Sequence, residues 1–99
     1  MPIEQQLKEK LAQELCAILG DGSQWGAAMK ALTNQSEVSR LRHGQLHRFS
    51  VGRLCRLIGN CHYNIDVHLR AMPRVYGTPH VHPAATVSRY DRYGRVVAP

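Results

Sequence analysis

Ninety-nine residues set a single domain as the expected size and exclude a large enclosed active site. Thirteen Lys and Arg against seven Asp and Glu give a formal net charge of +6, which favours anionic partners. No run of about 18 apolar residues is present to span a membrane. The chain opens without a charged-then-apolar leader, and Cys16, Cys55 and Cys61 form no disulfide framework, so a reducing, cytoplasmic location is expected.

Residues 3–19 place Ile3, Leu7, Leu11, Leu15 and Ile18 at helical spacing, with Ala12, Cys16 and Leu19 widening the stripe. Gly20 stands where a helix-terminating glycine belongs, and Asp21-Gly22-Ser23 is a turn. Ser23 caps a second helix over 24–31, whose apolar face is expected from Trp25, Ala28, Met29 and Leu32. The small residues Gly26, Ala27 and Ala28 let another helix approach closely. Asn34 reads as the N-cap of a third helix over 34–43. Glu37 stands three residues later in the form of a capping box, Val38 and Leu41 face inward, and Gly44 ends the helix.

Gln45–Arg48 reads as a polar basic loop. Ser50 caps a fourth helix, with Phe49 and Leu54 at the spacing of a hydrophobic staple. Val51, Leu54, Cys55, Leu57 and Ile58 face inward, and the helix ends at Gly59-Asn60 or runs on to Cys61.

Periodicity then changes. Ile65, Val67 and Leu69 alternate with Asp66, His68 and Arg70, as in a half-exposed strand. Such a strand needs a partner, either the same strand of a second subunit or a later segment of this chain. Ile65, Val67 and Leu69 are therefore the expected dimer strand. Beyond Met72, Pro73, Gly77, Pro79 and Pro83 break regular structure. Val87–Tyr90 and Arg95–Val97 flank Asp91-Arg92-Tyr93-Gly94, which suits a hairpin; a disordered basic tail is the other reading. Residues 1–71 are thus the expected domain and 72–99 a Pro-containing tail.

Charge falls unevenly on these elements. Residues 1–37 carry three lysines against five carboxylates, a net of −2, and residues 38–99 carry ten arginines against two carboxylates, a net of +8. Between residues 38 and 65 lie Arg40, Arg42, Arg48, Arg53 and Arg56 with no carboxylate at all. Clustered arginine over paired short helices is the electrostatic footprint of a nucleic-acid surface.

Gln24–Leu41 resembles the helix-turn-helix of the Cro/phage-repressor-like (XRE-type) family. Gln24 matches the Gln at the start of the first motif helix, Ala28 the small residue at the crossing, Thr33-Asn34-Gln35 the entry to the second helix, and Val38 and Leu41 its core contacts. The stretch Val38-Ser39-Arg40-Leu41, Gly44, Arg48-Phe49-Ser50, Leu54 is similar to a segment of the subfamily that includes HigA-type antitoxins. The family usually has Gly where Leu32 stands, since the chain there tends to take positive φ. The resemblance covers residues 20–70. It implies a mainly α, lambda-repressor-like bundle with a helix-turn-helix, followed by a C-terminal strand or hairpin. It further implies a homodimeric double-stranded-DNA-binding regulator, a repressor or an autoregulating antitoxin, the latter with a toxin partner.

Laid in a major groove, the third helix presents Gln35, Ser36, Ser39 and Arg40 to base edges, because Gln can pair with adenine and Arg with guanine. Gln24, Arg42, His43, Gln45, His47, Arg48 and Ser50 are candidate phosphate contacts. Arg53 and Arg56 read equally well as solvated. The alternative is an RNA- or protein-binding module using the same basic surface; the low aromatic content argues against base stacking. His80-x-His82 with His62, His68 and the cysteines lacks metal-ligand spacing, and no nucleophile or phosphate-loop motif is present, so no metal, cofactor or enzymatic activity is expected.

Overall fold

The computed structural model describes residues 3–70 and 84–97. In chain order these form α1 (Ile3–Leu19), α2 (Gln24–Lys30), α3 (Gln35–Arg42), a single 3₁₀ turn (Leu46–Arg48), α4 (Val51–Asn60), β1 (Asn64–Arg70) and β2 (Ala84–Tyr90). The fold is mainly helical with a small antiparallel two-stranded sheet. Among the described residues no helix is long and apolar enough to cross a membrane.

The stripe on α1 is the spine of the core. Leu7, Leu11, Ala12, Leu15, Ile18 and Leu19 are buried along it, and α3, α4 and β2 pack around it. From α4 come Leu54, Leu57 and Ile58, fully buried, and from α3 Val38 and Leu41. Ser50 caps α4, its Oγ accepting from the N–H of Arg53 at 3.0 Å, while Phe49 and Leu54 on either side of the cap are both buried. Leu46 also enters the core, so the segment expected as a polar loop is a 3₁₀ turn anchored by one apolar side chain.

Three of the helices end in the same device. The C″ amide bonds the C3 carbonyl while the C′ amide bonds the C2 carbonyl: Thr33 to Ala28 and Leu32 to Met29, Gln45 to Arg40 and Gly44 to Leu41, Tyr63 to Ile58 and His62 to Gly59. The C′ residue must take a left-handed φ, and it does so at Leu32 (54°), Gly44 (71°) and His62 (67°). Only Gly44 does this without steric cost. In the turn between α2 and α3 the leucine thus adopts the conformation usual for glycine. Its side chain is 71% exposed, so it offsets little of the strain by burial. Leu32→Gly is expected to stabilise the protein by about 1 kcal/mol in urea unfolding. A destabilised variant would mean that the leucine side chain contributes more than its exposure indicates.

The face of α2 corrects the sequence reading. Ala27, Ala28 and Ala31 are buried, while Trp25, Met29 and Leu32 point outward and are exposed. Small side chains let α2 approach the rest of the body closely, which leaves its large apolar residues outside. The carbonyls of Lys30 and Ala31 are taken by the end of α4 and its cap, through the Cys61 thiol (3.6 Å) and the Asn60 amide (2.9 Å). Lys30 Nζ donates back to the Ile18 carbonyl at 3.0 Å.

β1 and β2 pair antiparallel and without a bulge from Asn64↔Tyr90 to Arg70↔Ala84. Residues 84–97 are thus not an independent tail: β2 packs on α1, and Ala85 is fully buried in the same core. The expected turn follows it. Asp91 and Gly94 close it (Gly94 N–H to Asp91 O, 3.0 Å), Gly94 has φ 77°, and the Asp91 carboxylate accepts from the N–H groups of Tyr93 and Arg95. Tyr90 bridges Val96 beyond it. Of the two partners considered for Ile65, Val67 and Leu69, the later segment of the same chain takes one edge of the strand.

Candidate nucleic-acid interface

α2 and α3 form a helix-turn-helix joined by three residues after the Ala31 cap, and each begins on a side-chain cap. Ser23 Oγ accepts from the Gly26 N–H at 3.0 Å and Asn34 Oδ1 from the Glu37 N–H at 2.9 Å. The reciprocal half of a capping box does not form at Asn34. The Glu37 carboxylate turns toward α4, where Arg53 Nη2 reaches Oε1 at 2.6 Å and Nε reaches Oε2 at 3.3 Å, and the Thr33 hydroxyl donates to the same carboxylate. Arg53 Nη2 also donates to Thr33 Oγ1 at 3.3 Å. Turn, α3 and α4 are thereby tied together by two facing charges that fit as a fork.

This pairing has an electrostatic consequence for the surface. Glu37 is the only carboxylate on α3, and it is half-buried against Arg53. Its pKa is held below the usual carboxylate range, chiefly by the hydrogen bond from Arg53, with Thr33 adding to it against burial. A carboxylate with a depressed folded pKa contributes stability in full above the unfolded value near 4.3, and loses that contribution as pH falls through the folded pKa. Glu37→Gln is therefore expected to cost about 1 kcal/mol at pH 7, discounted for the partial exposure of Arg53, and to flatten the loss of stability below about pH 4. Parallel urea titrations at pH 7 and pH 3 check it; an equal loss at both would rule out the charge pair as the cause.

Gln35 and Ser36 stand exposed on the first turn of α3, and Ser39 and Arg40 follow half-buried one turn on. These four share one outward stripe. Gln24, first residue of α2, is half-buried beside the Ser23 cap. His43, Gln45, His47, Arg48 and Ser50 are all exposed along the path from α3 to α4. His43 Nδ1 lies 2.7 Å from the Ser39 carbonyl, closing the end of α3. Ser50 uses its oxygen as an acceptor for the α4 cap and keeps its O–H to donate.

One of the expected phosphate contacts is otherwise engaged. Arg42 Nη2 donates to the Gly20 carbonyl at 3.1 Å, which holds α3 to the α1–α2 turn and directs the guanidinium to the α1 side. Arg53 is likewise engaged, by Glu37, whereas Arg48 and Arg56 are exposed. The thiols take no part. Burial pushes the pKa of Cys16, Cys55 and Cys61 up, which suits inert packing residues. Among the described residues no three His, Cys, Asp or Glu side chains converge; His80 and His82 lie outside the described residues.

Sequence reasoning also missed the structural task of Arg89. Arg89 faces inward from β2, 9% exposed, with Nε 2.9 Å from Glu14 Oε2 on α1 and its guanidinium carbon 4.9 Å from the Tyr63 ring centre. The Nε–H does not point along the line to Glu14, so this is an ion contact rather than a directed hydrogen bond, and Nε has no acceptor among the described residues. The strand alternation Ala85, Val87, Arg89 was the available signal, since it sets the arginine on the apolar face. No family model, curated protein or solved structure matches the chain.

Proposed function

We propose that the protein is a sequence-specific double-stranded-DNA-binding transcriptional regulator, a repressor or an autoregulating antitoxin, acting as a homodimer with α3 in the major groove. The observation that carries this reading is the exposed first turn of α3. Gln35 and Ser36 are free there, Arg40 follows on the same stripe, and the one nearby carboxylate is withdrawn against Arg53. A polar, acid-free helix face is what base edges and flanking phosphates accept. In this arrangement Gln35 and Arg40 read bases with Ser36 and Ser39 beside them. Gln24, His43, Gln45, His47, Arg48 and Ser50 meet phosphates, and Arg42 holds α3 in place.

The test is a pair of affinities, measured on a duplex selected from random sequence and on unrelated DNA. Gln35→Ala and Arg40→Ala are each expected to lose about 1–3 kcal/mol on the selected duplex and little on the other. Arg48→Ala weakens both alike. Trp25, the single tryptophan, is exposed next to Gln24 and supplies a fluorescence signal. Failure to select any sequence, or equal losses on both duplexes for Gln35→Ala and Arg40→Ala, sinks the reading.

A further inference from the structure

We propose that the outer edge of β1 docks a second copy of this chain, strand to strand and antiparallel, about a two-fold axis at Val67. This rests on the homodimer of the proposed function and gives that homodimer its contact.

The first support is an edge with which no described residue pairs. Among the described residues β1 is paired along one edge, with β2. Asp66, Val67, His68 and Leu69 are all exposed. Soluble proteins blunt such an edge with lysine, proline or a bulge. Asn64–Arg70 contains no lysine and no proline, and its register with β2 runs through seven pairs without a bulge. The strand also overhangs the core. Ile65 packs against it, but Val67 and Leu69 on the same face are 37% and 58% exposed.

The second support is that the strand is complementary to itself. A two-fold axis normal to the sheet keeps both apolar faces on one side. With the axis at Val67, the middle of β1, valine meets valine and Ile65 meets Leu69 of the second copy. On the outer face each Asp66 lies opposite a His68, an acceptor against a ring that donates. The Asp66 carboxylate also acts on Tyr90 on that face, pushing the phenol pKa up. Other registers are worse. A shift of one residue sets polar against apolar positions. An axis at Asp66 opposes two carboxylates, and an axis at His68 leaves Asn64 and Ile65 without partners in the strand. The product is a continuous four-stranded sheet with the helices of both copies on one side.

Sedimentation velocity of the full chain at rising micromolar concentration is the experiment, with DNA absent. The wild type is expected to move from monomer to dimer. Val67→Lys sets two ammonium groups face to face at the axis and should raise the dimer dissociation constant by roughly a hundredfold or more. His68→Glu should weaken the dimer by opposing Asp66, and adding Asp66→Lys should restore it. Val67→Cys should give, on mild oxidation, a covalent dimer whose disulfide joins the two introduced thiols, identified by peptide mass mapping; this holds even where Val67→Lys fails to fold. An 11.1 kDa species at every concentration overturns the proposal. So does a dimer that survives Val67→Lys and yields no such cross-link. DNA selectivity is scored separately: a dimer disrupted by these variants but without sequence preference supports the edge pairing and removes the functional reading.

Discussion

Arg89→Ala is expected to destabilise the fold by about 3 kcal/mol, the largest single effect among the changes considered. Three losses coincide at this residue. The guanidinium leaves the Tyr63 ring, its stem leaves the seam between β2 and α1, and Glu14 keeps a charge with no cation beside it. The last loss should dominate, because a partly buried carboxylate stripped of its partner bears its desolvation cost alone. Arg89→Met keeps the volume and should recover about 1 kcal/mol of the loss. Pairing it with Glu14→Gln should recover more, since no ion then remains to be solvated. Glu14→Gln alone completes a cycle with the wild type, Arg89→Met and the double variant, and equilibrium unfolding of those four proteins gives the coupling energy. A loss from Arg89→Ala below about 1 kcal/mol would mean that water reaches the pair and that it behaves as a surface ion pair.

Salt should move DNA affinity about as far as the loss of a base-reading side chain. Each phosphate neutralised lowers log affinity by about 0.9 per log unit of salt. If each protomer neutralises about two phosphates, a dimer loses roughly a hundredfold between 50 and 200 mM salt. Which arginines contribute is the structural part of the prediction. Arg48 is exposed and unengaged by any carboxylate, so Arg48→Ala should reduce the slope by about one per half-site. Arg53 is already matched by Glu37, so Arg53→Ala should lower stability and leave the slope almost unchanged. A slope that is flat for the wild type, or that responds to Arg53 and not to Arg48, would move the binding surface away from α3.

Local signals carried much of the architecture. The α1 stripe is written at helical spacing from Ile3 to Leu19, and each such residue from Leu7 onward, apart from half-buried Cys16, is buried as read. The caps Ser23, Asn34 and Ser50 accept the amides expected of them. Period-two alternation located β1, and the Asp91–Gly94 turn followed from its own residues. Each of these is a property of a few neighbouring residues, so it is visible without a fold. The candidate reading stripe was legible for the same reason. Once an N-cap and two core contacts are set, the positions facing outward on an eight-residue helix follow from its geometry.

What remained hidden depends on pairs distant in the chain. Nothing near Glu37 announces Arg53, and nothing near Arg89 announces Glu14; charge alone cannot say which arginines are free and which are matched. The face that α2 buries was read correctly at Ala28 and misread elsewhere, because hydrophobicity ranked Trp25, Met29 and Leu32 above Ala27 and Ala31. Close approach of the helices decided otherwise, since only small side chains fit at the crossing. Leu32 shows the same division. Its departure from glycine is plain in the sequence, but only packing of α3 and α4 against α2 forces the left-handed turn despite the strain. Thus the sequence by itself determined the four helices, their caps, β1 and the polar stripe of α3. Tertiary structure alone decided which charges stay free, which edge of β1 is covered and which face of α2 is exposed, because each of those turns on contacts between residues that the chain holds far apart.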